Sequence, residues 1–101
     1  MFARVTIATA QLGKTEEVTR VMQDYFVALK KQKGFKGGIL LIDPPTGKAL
    51  SVALWETEAD IRASESSGYY KEWIGKLSDA LALPPAKEIY QVGNLVNFSL
   101  K

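Results

Sequence analysis

The stretch VALWETEAD, Val52 to Asp60, decides the fold. Small and branched apolar residues alternate up to Trp55, as in a half-buried strand. The chain then changes at once into Glu-Thr-Glu-Ala-Asp, a helix start. Thr57 with Asp60 three residues on resembles a capping box, with Asp in the usual Glu position. Strand and helix therefore meet at Trp55, and the indole is either a core plug or one wall of a ligand pocket.

Upstream, Lys48 to Trp55 (KALSVALW) and Gly38 to Asp43 (GILLID) are two short apolar runs joined by PPTGK, whose prolines and glycine predict a hairpin connection. Before them, Gly13 to Lys33 carries Val18, Val21, Met22, Tyr25 and Leu29 at helical spacing. Thr15 is the expected cap, and Glu16 and Glu17 suit the positive end of the helix dipole. Lys30, Lys31 and Lys33 are expected in the last turn, with Gly34 as terminator. Arg4 to Ala10 alternates as a first strand. Downstream, a short helix runs to about Ser66 and Ser-Ser-Gly breaks it. A second segment from Tyr69 to about Leu81 places Tyr70, Trp73, Ile74 and Leu77 on one face. Pro84-Pro85 closes it, and Ile89 to Phe98 reads as a last strand with Gly93 as a bulge.

The order strand, helix, strand, strand, broken helix, strand predicts an α+β, ferredoxin-like βαββαβ fold. Its four-stranded antiparallel sheet carries helices on one face. The 101 residues fit one domain, 1–101. The face away from the helices should be polar in a monomer. Instead Ile39 and Leu41 point opposite to Leu40 and Ile42, while Leu50, Val52 and Leu54 point opposite to Ala49, Ala53 and Trp55. Burying one large aliphatic is worth about 1.5–3 kcal/mol, so a sheet-wide patch predicts a homodimer with the two sheets face to face.

Composition excludes much chemistry. The chain has no histidine and no cysteine, hence no thiolate, no imidazole base and no imidazole ligand. No acidic cluster suggests an all-oxygen metal site, so no metal is expected. The net charge of +2 is too small to imply a polyanionic partner. KGFKGGIL, Lys33 to Leu40, superficially matches an RNA-recognition signature, but Gly37 and Gly38 stand where stacking aromatics belong, so nucleic acid is not an expected partner. No run approaches the roughly 18–20 apolar residues of a membrane span. Absent a signal-peptide pattern or cysteines, the expected compartment is the cytoplasm.

LWETEAD followed by SSGYYKEW, within this element order, resembles the dimeric α+β barrel superfamily and, within it, the antibiotic biosynthesis monooxygenase-like domains. The resemblance covers nearly the whole chain. It implies that Trp55 lines a cavity between sheet and helices. Members acting on aromatic polyketides oxidise phenolic or anthrone substrates with dioxygen, without metal or flavin, so no cofactor is expected. The polyketide branch carries an asparagine on the strand face where this chain has Ser51 and Ala53. In the haem-degrading branch the ligating histidine would fall near Ile74 and a first-strand asparagine within Ala8 to Ala10, so haem is not expected either.

The site residues this implies each have a plainer reading. Small Ala49, Ser51 and Ala53 beside Trp55 leave volume for a guest or for helix side chains. Tyr69 and Tyr70, where a helix restarts, are candidate catalytic hydrogen-bonding groups, or tyrosines that pack with a wet hydroxyl. Arg4 is a candidate for a substrate anion, against an edge position in solvent, and Tyr25 reads as core. Two functions follow. One is a cofactor-independent monooxygenase-like protein acting on a small aromatic or enolisable substrate. The other is a non-catalytic ligand-binding or structural dimer.

Overall fold

The computed structural model describes residues 1–96. Its elements are β1 (Phe2–Thr9), α1 (Thr15–Leu29), β2 (Phe35–Asp43), β3 (Lys48–Trp55), α2 (Glu58–Ser66), α3 (Tyr69–Ser78) and β4 (Ala86–Gln91). The strands form one antiparallel sheet in the order β2-β3-β1-β4, with the helices on one face. This is the expected ferredoxin-like arrangement.

Local rules set most boundaries. Thr57 is the N-cap of α2, and its side chain accepts from the Asp60 backbone N–H at 3.1 Å. Gly68 adopts φ 93°, a conformation other residues rarely take, and separates α2 from α3.

Four expectations shift. Thr15 is the first helical residue rather than the cap; Lys14 stands at the N-cap without a side-chain hydrogen bond. The helix also ends at Leu29, the last fully buried position of its stripe, so the lysines fall beyond its last turn. α3 stops at Ser78 rather than Leu81, because the chain turns to join the sheet end. There Leu81 bridges Ala10, and the Ala82 N–H donates to the Thr9 carbonyl at 2.8 Å. The last strand runs earlier than Ile89 to Phe98: it pairs with β1 from Ile7↔Ala86 to Phe2↔Gln91, where β1 is exhausted. Gly93 follows that strand, and Phe98 lies outside the described residues. The register irregularity sits between Phe35 and Gly37 instead.

The core lies between sheet and helices. Val18, Met22, Tyr25 and Leu29 of α1, Ile61 of α2, and Trp73 and Leu77 of α3 pack with Ala8, Ala49, Ala53 and Trp55. On the other face Val5, Ile7, Ile39, Leu50, Val52 and Leu54 are only half-buried, and Leu41 is 46% exposed. Val92 and Leu95 line a shared concavity with Ile39, Val52 and Leu54, so the described residues after β4 border one part of this surface.

Candidate functional site

Pleating puts alternate residues of β1 and β3 under the helices. Register pairs Arg4 with Ala53, Thr6 with Ser51 and Ala8 with Ala49, while Trp55 pairs with Phe2. Because β1 lies between β3 and β4, Arg4 sits mid-sheet, and its side chain is buried at 1% exposure. The solvent-edge reading of Arg4 is therefore overturned.

Arg4 organises the interior. Its guanidinium carbon lies 4.6 Å from the Tyr70 ring centroid and 5.2 Å from that of Trp55. Nη2 donates to the Tyr25 hydroxyl at 3.1 Å, and Nη1 reaches Glu65 Oε2 at 3.5 Å. Glu65 is held more closely by Lys87, whose Nζ is 2.8 Å from Oε1 and 5.6 Å from the Tyr70 ring centroid. Tyr25 stacks on Trp73 at 4.1 Å, and Tyr70 stands edge-on to both rings. The Tyr70 hydroxyl is 3.4 Å from Thr6 Oγ1. Burial pushes the Tyr25 hydroxyl above its ordinary pKa of 10, and the Arg4 charge opposes that rise.

The volume expected beside Trp55 is occupied. The indole is wholly buried, with Phe35 edge-on at 5.5 Å on one side and Arg4 on another, and it lines neither of the two grooves along the helix layer. Small Ala49, Ser51 and Ala53 make room for the protein's own arginine and tyrosines. Among the described residues, Trp55 Nε1 and Trp73 Nε1 are buried without an acceptor.

Trp55, Arg4 and Tyr70 are thus brought together by direct contact, and Ser51, 3% exposed, shares their sheet face. Tyr69 is not part of the cluster. It is 55% exposed and stands where two outer grooves meet, one of about 170 Å³ between α1 and α3 and one of about 410 Å³ between α2, the start of α3 and the segment after α1 at Gln32 and Lys33. Tyr25 lines the first groove, so the cluster lies just beneath it. Sequence reasoning missed Glu65 and Lys87 and assigned Tyr25 to packing alone. Glu65 follows buried Ile61 by one helical turn, a spacing that places it on the inner face. Lys87 preceded the expected start of the last strand.

Among the described residues no group of three or more acidic, histidine or cysteine side chains could hold a metal ion. No described helix is long and apolar enough to cross a membrane.

No family model matches the chain, and no curated protein matches it by sequence. Solved structures match its fold closely. A Deinococcus radiodurans protein assigned to the antibiotic biosynthesis monooxygenases superposes with TM-score 0.82 at 13% identity, covering 98% of this chain and 99% of that one. A Nitrosomonas europaea protein with the same assignment gives 0.81 at 18%, covering 93% and 100%. A variant of SnoaB, a cofactor-independent oxygenase from Streptomyces nogalater, gives 0.81 at 14%, covering 95% and 96%.

Proposed function

From a fold shared with antibiotic biosynthesis monooxygenase-like proteins, we propose that this chain is a homodimeric, cofactor-independent oxygenase acting on a small aromatic or enolisable molecule in its sheet-helix interior. The observation that carries this reading is Arg4, buried at 1% exposure against the faces of Trp55 and Tyr70. A fixed cation in a water-poor aromatic box stabilises an oxyanion far better than water does.

In the proposed reaction an activated methylene loses a proton to water as the substrate enters, giving an enolate held by Arg4, with Tyr70 as hydrogen-bond donor. The enolate carbon gives its electrons to dioxygen, forming a C–O bond and a peroxide that is then protonated. Loss of the second methylene proton with cleavage of the O–O bond releases water and leaves a carbonyl. The methylene carbon is oxidised and dioxygen reduced, with no other redox partner. Trp55 is a wall of the site, and Ser51 lies on its floor.

An oxygen-uptake assay with a panel of anthrones and quinols tests this. Wild type should consume oxygen with at least one of them, Arg4→Gln should lose at least tenfold in rate, and Trp55→Phe should be slower than wild type. Uptake unchanged in Arg4→Gln would refute the role assigned to the cation. The complete burial of Trp55 favours a second reading, a non-catalytic binding or structural dimer, and absence of uptake across the panel would select it.

The homodimer rests on the half-buried Val5, Ile7, Leu50, Val52 and Leu54 surface. Light scattering at micromolar concentration should give twice the 11.1 kDa chain mass, falling to that mass in Leu50→Glu/Val52→Glu. A wild-type monomer would remove this part of the proposal.

A further inference from the structure

Arg4 is the only buried cation among the described residues, and its neutralisation is incomplete. A guanidinium offers five N–H donors. Among the described residues Arg4 makes two side-chain hydrogen bonds, one to a neutral phenol and one at 3.5 Å to Glu65. That carboxylate is only 22% exposed, yet its shorter ion pair, 2.8 Å, is with Lys87 rather than with Arg4. A few ångströms away, the Nε1 donor of wholly buried Trp55 has no acceptor among the described residues. Buried donors are nearly always paired, and a buried charge needs a counter-charge. The interior around Trp55 thus holds a cation that shares its one carboxylate with Lys87, beside an indole N–H with no acceptor among the described residues.

We propose that the interior's ligand is a planar aromatic monoanion, a carboxylate or an ionised enol or phenol, whose oxygen takes the place of Glu65 on Arg4. This rests on the reading that the interior admits a small aromatic molecule, and it adds that the molecule arrives already charged. Glu65 acts as a stand-in counter-ion at long range. When displaced it keeps Lys87, so no charge is stranded. The ligand's ring packs against Trp55, where Tyr70 now covers the guanidinium.

Calorimetric titration with 1-naphthoate and its neutral near-isostere 1-naphthamide tests the charge requirement. Wild type should bind the carboxylate at least tenfold more tightly than the amide. Arg4→Gln should erase that preference by weakening naphthoate alone. Glu65→Gln, which removes the competing anion while retaining Arg4, should strengthen naphthoate several-fold and leave naphthamide unchanged; it keeps the test intact if Arg4→Gln does not fold. Equal affinities for the two compounds, or a Glu65→Gln variant that binds naphthoate more weakly, would overturn the inference while leaving the aromatic interior standing. Failure of both compounds to bind at millimolar concentration would overturn the aromatic interior itself, and this inference with it.

Discussion

Replacing Arg4 by methionine should change stability little, whereas replacing Glu65 by glutamine should cost much more. At 3.5 Å and an effective dielectric constant of about 20, the attraction between the two side chains is about 5 kcal/mol. Desolvating a guanidinium to 1% exposure costs several kcal/mol, so the two terms nearly cancel. Arg4→Met removes both and leaves Glu65 with Lys87 at 2.8 Å, near solvent. The lost contacts with the Trp55 and Tyr70 faces, about 0.5–2 kcal/mol each, are partly replaced by thioether–aromatic contacts. The expected net change is within about 1 kcal/mol, or about 4–8 °C in Tm at most for a domain of this size. Glu65→Gln instead leaves the buried cation with a phenol as its nearest partner. Truncating one side of a buried pair costs about 3–5 kcal/mol, and the long distance reduces the expectation to about 2–3 kcal/mol. Urea unfolding at one fixed protein concentration measures both. A loss above about 3 kcal/mol for Arg4→Met, with almost none for Glu65→Gln, would make Arg4 a structural strut and refute the reasoning that it awaits an anion.

Three further perturbations probe the frame around the site. A Cβ at Gly38 would collide with Cε1 of Phe26, so Gly38→Val should cost about 1–3 kcal/mol in thermal unfolding, and adding Phe26→Ala should recover part of it. Thr57→Ala removes the cap on Asp60 N–H and should cost about 1 kcal/mol by urea unfolding. The Tyr25 pKa is raised in the fold, first by burial, so the neutral phenol is favoured there. Its stabilising contribution is full below the unfolded value of 10 and is lost as pH rises through the higher folded value. Between pH 9 and 11.5 (about the range a tyrosine with a raised pKa spans), wild type should lose more stability than Tyr25→Phe, as read from urea midpoints; parallel curves would refute the shift.

What the sequence made legible was local. VALWETEAD specifies its own strand end and helix cap, because alternation and the Thr57 hydroxyl act over a few residues, and both boundaries fall where expected. β4 was displaced because all six of its residues are exposed. AKEIYQ has no buried alternation to read, and pairing with β1 alone makes it a strand. Of the two readings of Arg4, the solvent edge failed because the place of β1 in the sheet is set by non-local pairing. Near a chain start an arginine reads as an edge residue, and only non-local pairing of β1 with both β3 and β4 puts it in the interior. Glu65 was within reach, one turn from Ile61, but an acidic residue on a short helix draws attention only when a buried partner is known.

A packed interior changes what a guest must do. With Trp55 wholly buried against Phe35 and Arg4, a ligand has to replace a protein group, and the groups differ in how firmly they are held. Trp73 is stacked on Tyr25 at 4.1 Å and only 4% exposed. Phe35 is held as the sheet partner of Trp55. Tyr70 is half-buried, its hydroxyl is held by one 3.4 Å contact to Thr6, and it sits in the first turn of α3. That turn begins at Gly68, whose left-handed backbone has open space on its side-chain face. Displacing the Tyr70 ring uncovers the Arg4 guanidinium while leaving the Tyr25–Trp73 stack intact. On the proposed reading Tyr70 is therefore the wall a guest would displace, and the ring that covers the cation would, once swung aside, neighbour the anion that replaces it.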